Sequence, residues 1–204
     1  MRPARKAPER VVPGVYGEGG HDAEMTQPRE SDFIRGVYTV DLEEHRDRRG
    51  RFAEIFRREW FPQRSWEKLQ WSRSESQAGV LRGLHFHREQ IDYWHCVAGR
   101  LRVGLYDLRR SSPTCGRGQV IDLDQENLKG LFIPAGVAHG FRALADATLM
   151  YLVDNYYDGG DEFGVAWNDP QINLPWGATE PPILSERDAR NPLVGDIAPE
   201  DLPS

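Results

Sequence analysis

Hydrophobic and polar positions alternate over short stretches through the middle of the chain. Residues 36–42 (GVYTVDL) read as one strand. Residues 49–56 (RGRFAEIF) read as another, beyond the charged turn EEHRDRRG. Six further strand-like segments follow at 79–86, 92–98, 101–108, 119–123, 130–134 and 147–154. Turn residues separate them, at Ala98-Gly99, Ser112-Pro113, Cys115-Gly116 and Pro134-Ala135-Gly136. Many short strands at this spacing predict an all-β sandwich or jelly-roll barrel. No amphipathic helix among them is long enough for a parallel crossover, which argues against an α/β sheet.

The flanks read differently. Residues 57–69 lack alternation, and Trp60, Phe61, Trp66 and Leu69 fall at mixed helical spacing. One or two short helices broken near Pro62 are expected there, with Trp60 and Trp66 in the core. From Asn168 the chain is Pro-rich and irregular, with one short helix start at Ser185. Residues 1–30 are rich in Pro, Gly and charge and bury too little apolar surface to offset their ordering entropy. They read as a flexible arm on a domain spanning 31–204.

Composition narrows the class. The 204 residues carry a net charge of −6, which argues against a general nucleic-acid binder. The two cysteines, Cys96 and Cys115, make no disulfide framework and fit a reducing, cytoplasmic setting. Cys96 reads as a small buried hydrophobe. No apolar run approaches the ~18 residues that span a membrane.

Histidine is the chemical signal. His85, His87 and His95 fall within eleven residues, and His139 follows in IPAGVAHGF. In a strand, residues i and i+2 share a face, so His85 and His87 project together and a returning strand can add His139. The spacing of Gly79, His85, His87, Asp92 and Gly99 resembles the first cupin motif, and Pro134–His139 resembles the second. Three imidazoles and a carboxylate suit a first-row divalent metal. They equally suit the polar lining of a metal-free pocket, and at this level both readings stay open.

A narrower resemblance rests on the same residues. The chain is similar to the dTDP-4-dehydrorhamnose 3,5-epimerase family of cupins. It shares Gly79-Val-Leu-Arg-Gly-Leu-His85-Phe, Tyr106-Asp-Leu-Arg-Arg-Ser-Ser-Pro-Thr114, Ile133–Phe141, Tyr156-Tyr157, Trp167-Asn-Asp-Pro170 and Leu184-Ser-Glu-Arg-Asp188, in the family's order. The resemblance implies a jelly-roll homodimer that needs no cofactor and binds neither nucleic acid nor membrane. Its implied substrate is a nucleotide-linked 4-keto-6-deoxy sugar, inverted at C3, C5 or both through an enolate.

The resemblance also implies roles. His85 would be the base, oriented by Asp188, and Tyr151 the acid on the opposite sugar face. Arg49, Arg82 and His139 would line the diphosphate and sugar pocket. Glu54 and Gln70 would meet the nucleotide, and Tyr156 would stack near its base. The residue types suit these roles. His titrates near neutrality, a buried carboxylate fixes its tautomer, Tyr can return a proton, and Arg matches diphosphate oxygens. Plainer readings exist for some of them. Ser185-x-x-Asp188 is also a capping-box pattern, Tyr151 also reads as core, and Arg82 with Glu54 also reads as a structural ion pair.

The sequence departs from that family at Asp92, where the family carries a lysine that stabilises the enolate oxygen. His87 replaces a glutamine and Ser72 an asparagine. Two alternatives therefore accompany the epimerase reading. One is a metal-dependent cupin enzyme using His85, His87, Asp92 and His139. The other is a non-catalytic cupin that only binds a sugar nucleotide. In the metal-free epimerase, Asp92 is expected to pair with Arg82, Arg88 or another nearby cation.

Overall fold

Alternation along the strands becomes two antiparallel sheets packed face to face. The computed structural model describes residues 26–157, 159–177 and 180–204. The strands are β1 (Arg29–Glu30), β2 (Tyr38–Asp41), β3 (Glu44–Asp47), β4 (Gly50–Ala53), β5 (Gln70–Ser76), β6 (Leu81–Phe86) and β7 (Asp92–Ala98). They continue with β8 (Arg100–Asp107), β9 (Gly118–Asp124), β10 (Lys129–Ile133), β11 (Val137–Ala143), β12 (Ala147–Val153) and β13 (Phe163–Gly164). One sheet runs β1-β2-β10-β7-β12-β5 and the other β13-β6-β11-β8-β9. β3 and β4 form a separate hairpin. This is the all-β jelly roll that the spacing of strands and turns predicts.

Three apolar clusters fix the layers. The first lies between the sheets and includes Trp94, Leu101, Val103, Leu105, Leu131, Phe141 and Leu149. The second covers the outer face of the five-stranded sheet, where Tyr106 and Ala138 meet Val165, Ile172, Leu174 and Trp176 from the irregular C-terminal third. The third covers the outer face of the other sheet, where Phe61 packs on Val40, Tyr93, Phe132 and Leu152. β11 is buried at every position because both of its faces are covered. Cys96 sits in the inner layer, where burial pushes its thiol up to about 11, and it is free, as is Cys115.

The flanks are less helical than their spacing suggests. Among the described residues the helices are single 3₁₀ turns at Arg58–Trp60, Asp188–Arg190 and Val194–Asp196. The segment after Phe56 is held by its aromatic rings on the sheet, and Pro62 cannot donate the hydrogen bond that would extend the turn. Asp169 ties the C-terminal third together. Its carboxylate accepts from Gln171 N at 2.7 Å and from Val194 N at 2.6 Å. Of the expected N-terminal arm, residues 1–25 lie outside the described residues, and Arg29–Glu30 pair with β2. No helix among the described residues is long and apolar enough to cross a membrane.

Candidate active site

A cavity of about 290 Å³ opens between the sheets at the end where polar residues replace the apolar core. β6 and β11 supply one wall. Their pairing slips: His139 faces His85, but Phe141 faces Arg82, so three steps on β6 match two on β11. The extra residue is a bulge, and it turns Arg82 and His85 toward the same side despite their odd spacing. Gly83 and Gly140 meet at the slip. A Cβ on Gly83 would lie 2.7 Å from Gly140 Cα, and one on Gly140 would lie 2.5 Å from the Arg82 carbonyl oxygen.

His85 is tied to the C-terminal segment. Its Nε2 lies 2.7 Å from Asp188 Oδ1, and Gly83 N donates to Asp188 Oδ2 at 3.3 Å. Burial alone would raise the Asp188 carboxyl, but the bonds from His85, the Gly83 amide and Ser185 outweigh it and hold it below its usual range. Ser185 Oγ also accepts from Asp188 N at 3.0 Å. The capping pattern and the contact with His85 therefore coexist in one residue. The other ring nitrogen of His85 faces Glu162 at 3.8 Å.

The opposite wall comes from β5, β7 and β12. Tyr151 lines the cavity from β12, half-buried, paired in register with Ser72 and Trp94. Gln70 lies at the cavity's edge, where its Oε1 accepts from Tyr157 N at 3.1 Å. Arg82 donates to Ser76 Oγ at 3.0 Å and to the Glu75 carbonyl at 3.1 Å. His139 is buried, with Nδ1 2.9 Å from the Val137 carbonyl. Burial, opposed by the Asp92 carboxylate, pushes its imidazole well below the ordinary range, so the ring is neutral.

Other expected residues lie elsewhere. Arg49 sits at the tip of the β3–β4 hairpin, bonded to Asp47 at 2.5 Å, and Glu54 is bonded to Arg57 at 2.6 Å. Neither lines the cavity, and the Arg82–Glu54 pair does not form. Tyr156 is 58% exposed beside a smaller recess, while its neighbour Tyr157 lines the cavity. His95 points to the other face of β7, since Asp92 and Trp94 take the inward parity.

Asp92 is buried with neither Arg82 nor Arg88 beside it. Arg82 is engaged as above, and Arg88 bonds Asp201 and lies 4.5 Å over the Phe163 ring. The Asp92 neighbours are instead the Trp94 indole N–H at 3.0 Å, the Gln90 amide at 3.4 Å, His87 and His139. Trp94 and Gln90 escaped the sequence reading, although Trp94 stands two residues from Asp92 and so shares its face. Glu162 and Asp161 have no local signal. They enter from a loop more than 70 residues on.

Comparisons with known proteins agree with this architecture. The profile of the dTDP-4-dehydrorhamnose 3,5-epimerase family matches residues 32–196. The dTDP-4-dehydrorhamnose 3,5-epimerase of Shigella flexneri is 40% identical over 149 residues, 70% of this chain and 82% of that protein. The Bacillus subtilis spore coat polysaccharide biosynthesis protein SpsL is 38% identical over 153 residues, 71% of this chain and 97% of that protein. Among solved structures, the Legionella pneumophila epimerase RmlC in complex with dTDP-4-keto-L-rhamnose superposes with a TM-score of 0.81. It is 32% identical, with 87% of this chain and 97% of that one covered. ChmJ of Streptomyces bikiniensis, a 3′-monoepimerase bound to dTDP-quinovose, gives 0.77 at 32% identity over 82% and 88%. Fold and cavity thus define a cupin-type sugar epimerase. The chain belongs to the dTDP-4-dehydrorhamnose 3,5-epimerase family. It is an isomerase, an epimerase of dTDP-linked 4-keto-6-deoxy sugars.

Proposed function

We propose that the cavity epimerises dTDP-4-dehydro-6-deoxyglucose at C3, C5 or both through an enolate, with His85 as base and Tyr151 as acid. One observation carries this reading: the two groups line the same cavity from opposed sheets. A sugar ring between them presents one face to each. The C–H beside the 4-keto group is weakly acidic. His85 takes that proton and its electron pair moves into the enolate. Tyr151 then delivers a proton to the other face of the same carbon, which inverts the centre. Asp188 holds the His85 tautomer and stabilises the imidazolium. Arg82 and His139 line the diphosphate and sugar end of the cavity, and Gln70 meets the nucleotide.

The same proposal includes a homodimer in the cytoplasm. An apolar groove of about 220 Å³ lined by Ile55, Leu69, Trp71 and Leu152 lies on the outer face of the six-stranded sheet. Trp71 is 58% exposed there, an unusual position for so large an apolar side chain. In the dimer Arg49 serves the diphosphate end, and Glu54 and Tyr156 the nucleotide end, of a site built from both chains. The two free thiols fit a reducing compartment.

Incubation with dTDP-4-keto-6-deoxyglucose in D2O tests the function. Deuterium is expected at C3, C5 or both of the recovered sugar. Binding without exchange at either carbon would leave a sugar-nucleotide binding protein and overturn the enzymatic reading for this substrate.

A further inference from the structure

Three acceptor atoms converge on one point of the cavity wall. His87 Nε2 lies 3.7 Å from Asp92 Oδ2, and His139 Nε2 lies 3.8 Å from the same oxygen. All three atoms fall within 4.8 Å of one another. These separations are too long for hydrogen bonds. The side chains of His87, Asp92 and His139 are only 11%, 5% and 6% exposed.

The far nitrogen of each ring is already committed. His87 Nδ1 lies 2.5 Å from the Asp161 carbonyl, and His139 Nδ1 lies 2.9 Å from the Val137 carbonyl. A carbonyl can only accept, so each Nδ1 carries a proton. Each ring is thereby turned so that its Nε2 faces the carboxylate. The Gln90 amide reaches His87 Nε2 and Asp92 Oδ2 only at 3.3 and 3.4 Å, both long contacts. Two ring nitrogens and a carboxylate oxygen thus face one point at separations that leave room for a cation between them.

We propose that His87, Asp92 and His139 bind one divalent first-row transition-metal ion. Two imidazoles and a carboxylate are a ligand set such ions take, with open positions left for water or substrate. The carbonyl-bound Nδ1–H groups orient the rings as ligating histidines are usually oriented. The Trp94 indole, bonded to Asp92 Oδ1 at 3.0 Å, leaves Oδ2 for the ion. Bonds of ~2.1 Å round a tetrahedral ion set ligand atoms about 3.4 Å apart, so the two Asp92–histidine separations of 3.7 and 3.8 Å close on metal by a few tenths of an ångström. His85 stays outside it, paired with Asp188, and remains free to act as base. The ion's role rests on the epimerase reading: an ion here supplies the positive charge that an enolate oxygen needs, where Asp92 itself would repel it.

The test uses the untagged full chain, dialysed with Co²⁺ or Zn²⁺ and read by elemental analysis, calorimetric titration and the visible spectrum of bound cobalt. One equivalent per chain is expected, with His87→Gln and Asp92→Asn each weakening binding at least ~10²-fold. His45→Asn, an exposed histidine on the β3–β4 hairpin, should bind as the parent does. Asp92→Asn keeps an acceptor for Trp94, and His87→Gln changes the most exposed of the three positions, so loss of fold in one leaves the other as a test. Less than a tenth of an equivalent bound, or both variants binding like the parent, overturns the proposal. Deuterium exchange by metal-free protein overturns the role given to the ion and leaves the epimerase reading standing. Stoichiometric metal without exchange leaves the site standing and removes the epimerase.

Discussion

Gly83 and Gly140 face each other across the β6–β11 pair with no room for a side chain on either. Gly83 also has φ +116°, a backbone conformation L-residues rarely adopt. The contact fixes the bulge, and the bulge aims His85 at the cavity.

Gly83→Ala is therefore expected to destabilise the protein by roughly 2–5 kcal/mol, backbone strain and overpacking together. Gly79 has φ +86° but open space around it, so Gly79→Ala should cost only about 1–2 kcal/mol. Chemical denaturation of both variants compares them. Equal costs would remove the close approach as the cause.

In the proposed mechanism Asp188 acts through His85 and not on the substrate. Asp188→Asn should lower kcat by roughly 10²–10⁴ with KM nearly unchanged. A KM that rises in step with the loss of kcat would instead make Asp188 a binding residue.

Tyr151→Phe separates the two proton transfers. His85 can still take and return a proton on one face, so deuterium should enter the substrate while inverted product falls by at least ~10². NMR of the recovered sugar reads both. Inversion at the parental rate would exclude Tyr151 as the acid.

Asp107 gives a pH signature separate from catalysis. Burial would raise its carboxyl, but bonds from Arg109, Ser112 and Thr114 hold it below the usual range. A depressed folded pKa contributes stability above the unfolded value of about 3.9, and that stability is lost as pH falls through the folded value. The parent should thus lose stability steeply below about pH 4. Asp107→Asn should be less stable at pH 7 and show a flatter acid limb. Denaturant midpoints from about pH 3 to 7 check this, and parallel curves would contradict it.

Trp71→Glu puts a charge in the apolar groove and should convert a dimer to a monomer. Sedimentation equilibrium decides it. A parent chain that is already monomeric removes the shared-site account of Arg49 and Glu54.

The strands that carry apolar residues at period two were readable from sequence, and so was the histidine pattern of β6. β5 was not. Its outward positions alternate Trp71, Arg73 and Glu75, but its inward positions are Gln70, Ser72, Ser74 and Ser76, because that face lines a polar cavity. With both faces polar, the hydrophobic period that marks a strand disappears. β3 hid in a charged run for a similar reason: it belongs to an exposed hairpin with little to bury. The pairing of His85 with Asp188 was legible only through resemblance, since 103 residues separate them. Of the two settings expected for Asp92, the arginines Arg82 and Arg88 bond elsewhere, while His87, just past β6, and His139 on β11 stand beside it.

The segment that carries Asp188 is tied to itself by the Asp169 carboxylate and held to the barrel by side-chain packing, with one isolated parallel bridge at Ile183 and no sheet ladder beyond it among the described residues. Its cohesion is thus partly independent of the two sheets, and it can loosen while every strand stays paired. The base would then lose its orienting partner with the barrel intact. With His85 as base and Asp188 as its partner, warmth or mild denaturant should extinguish turnover before it disturbs the sheets.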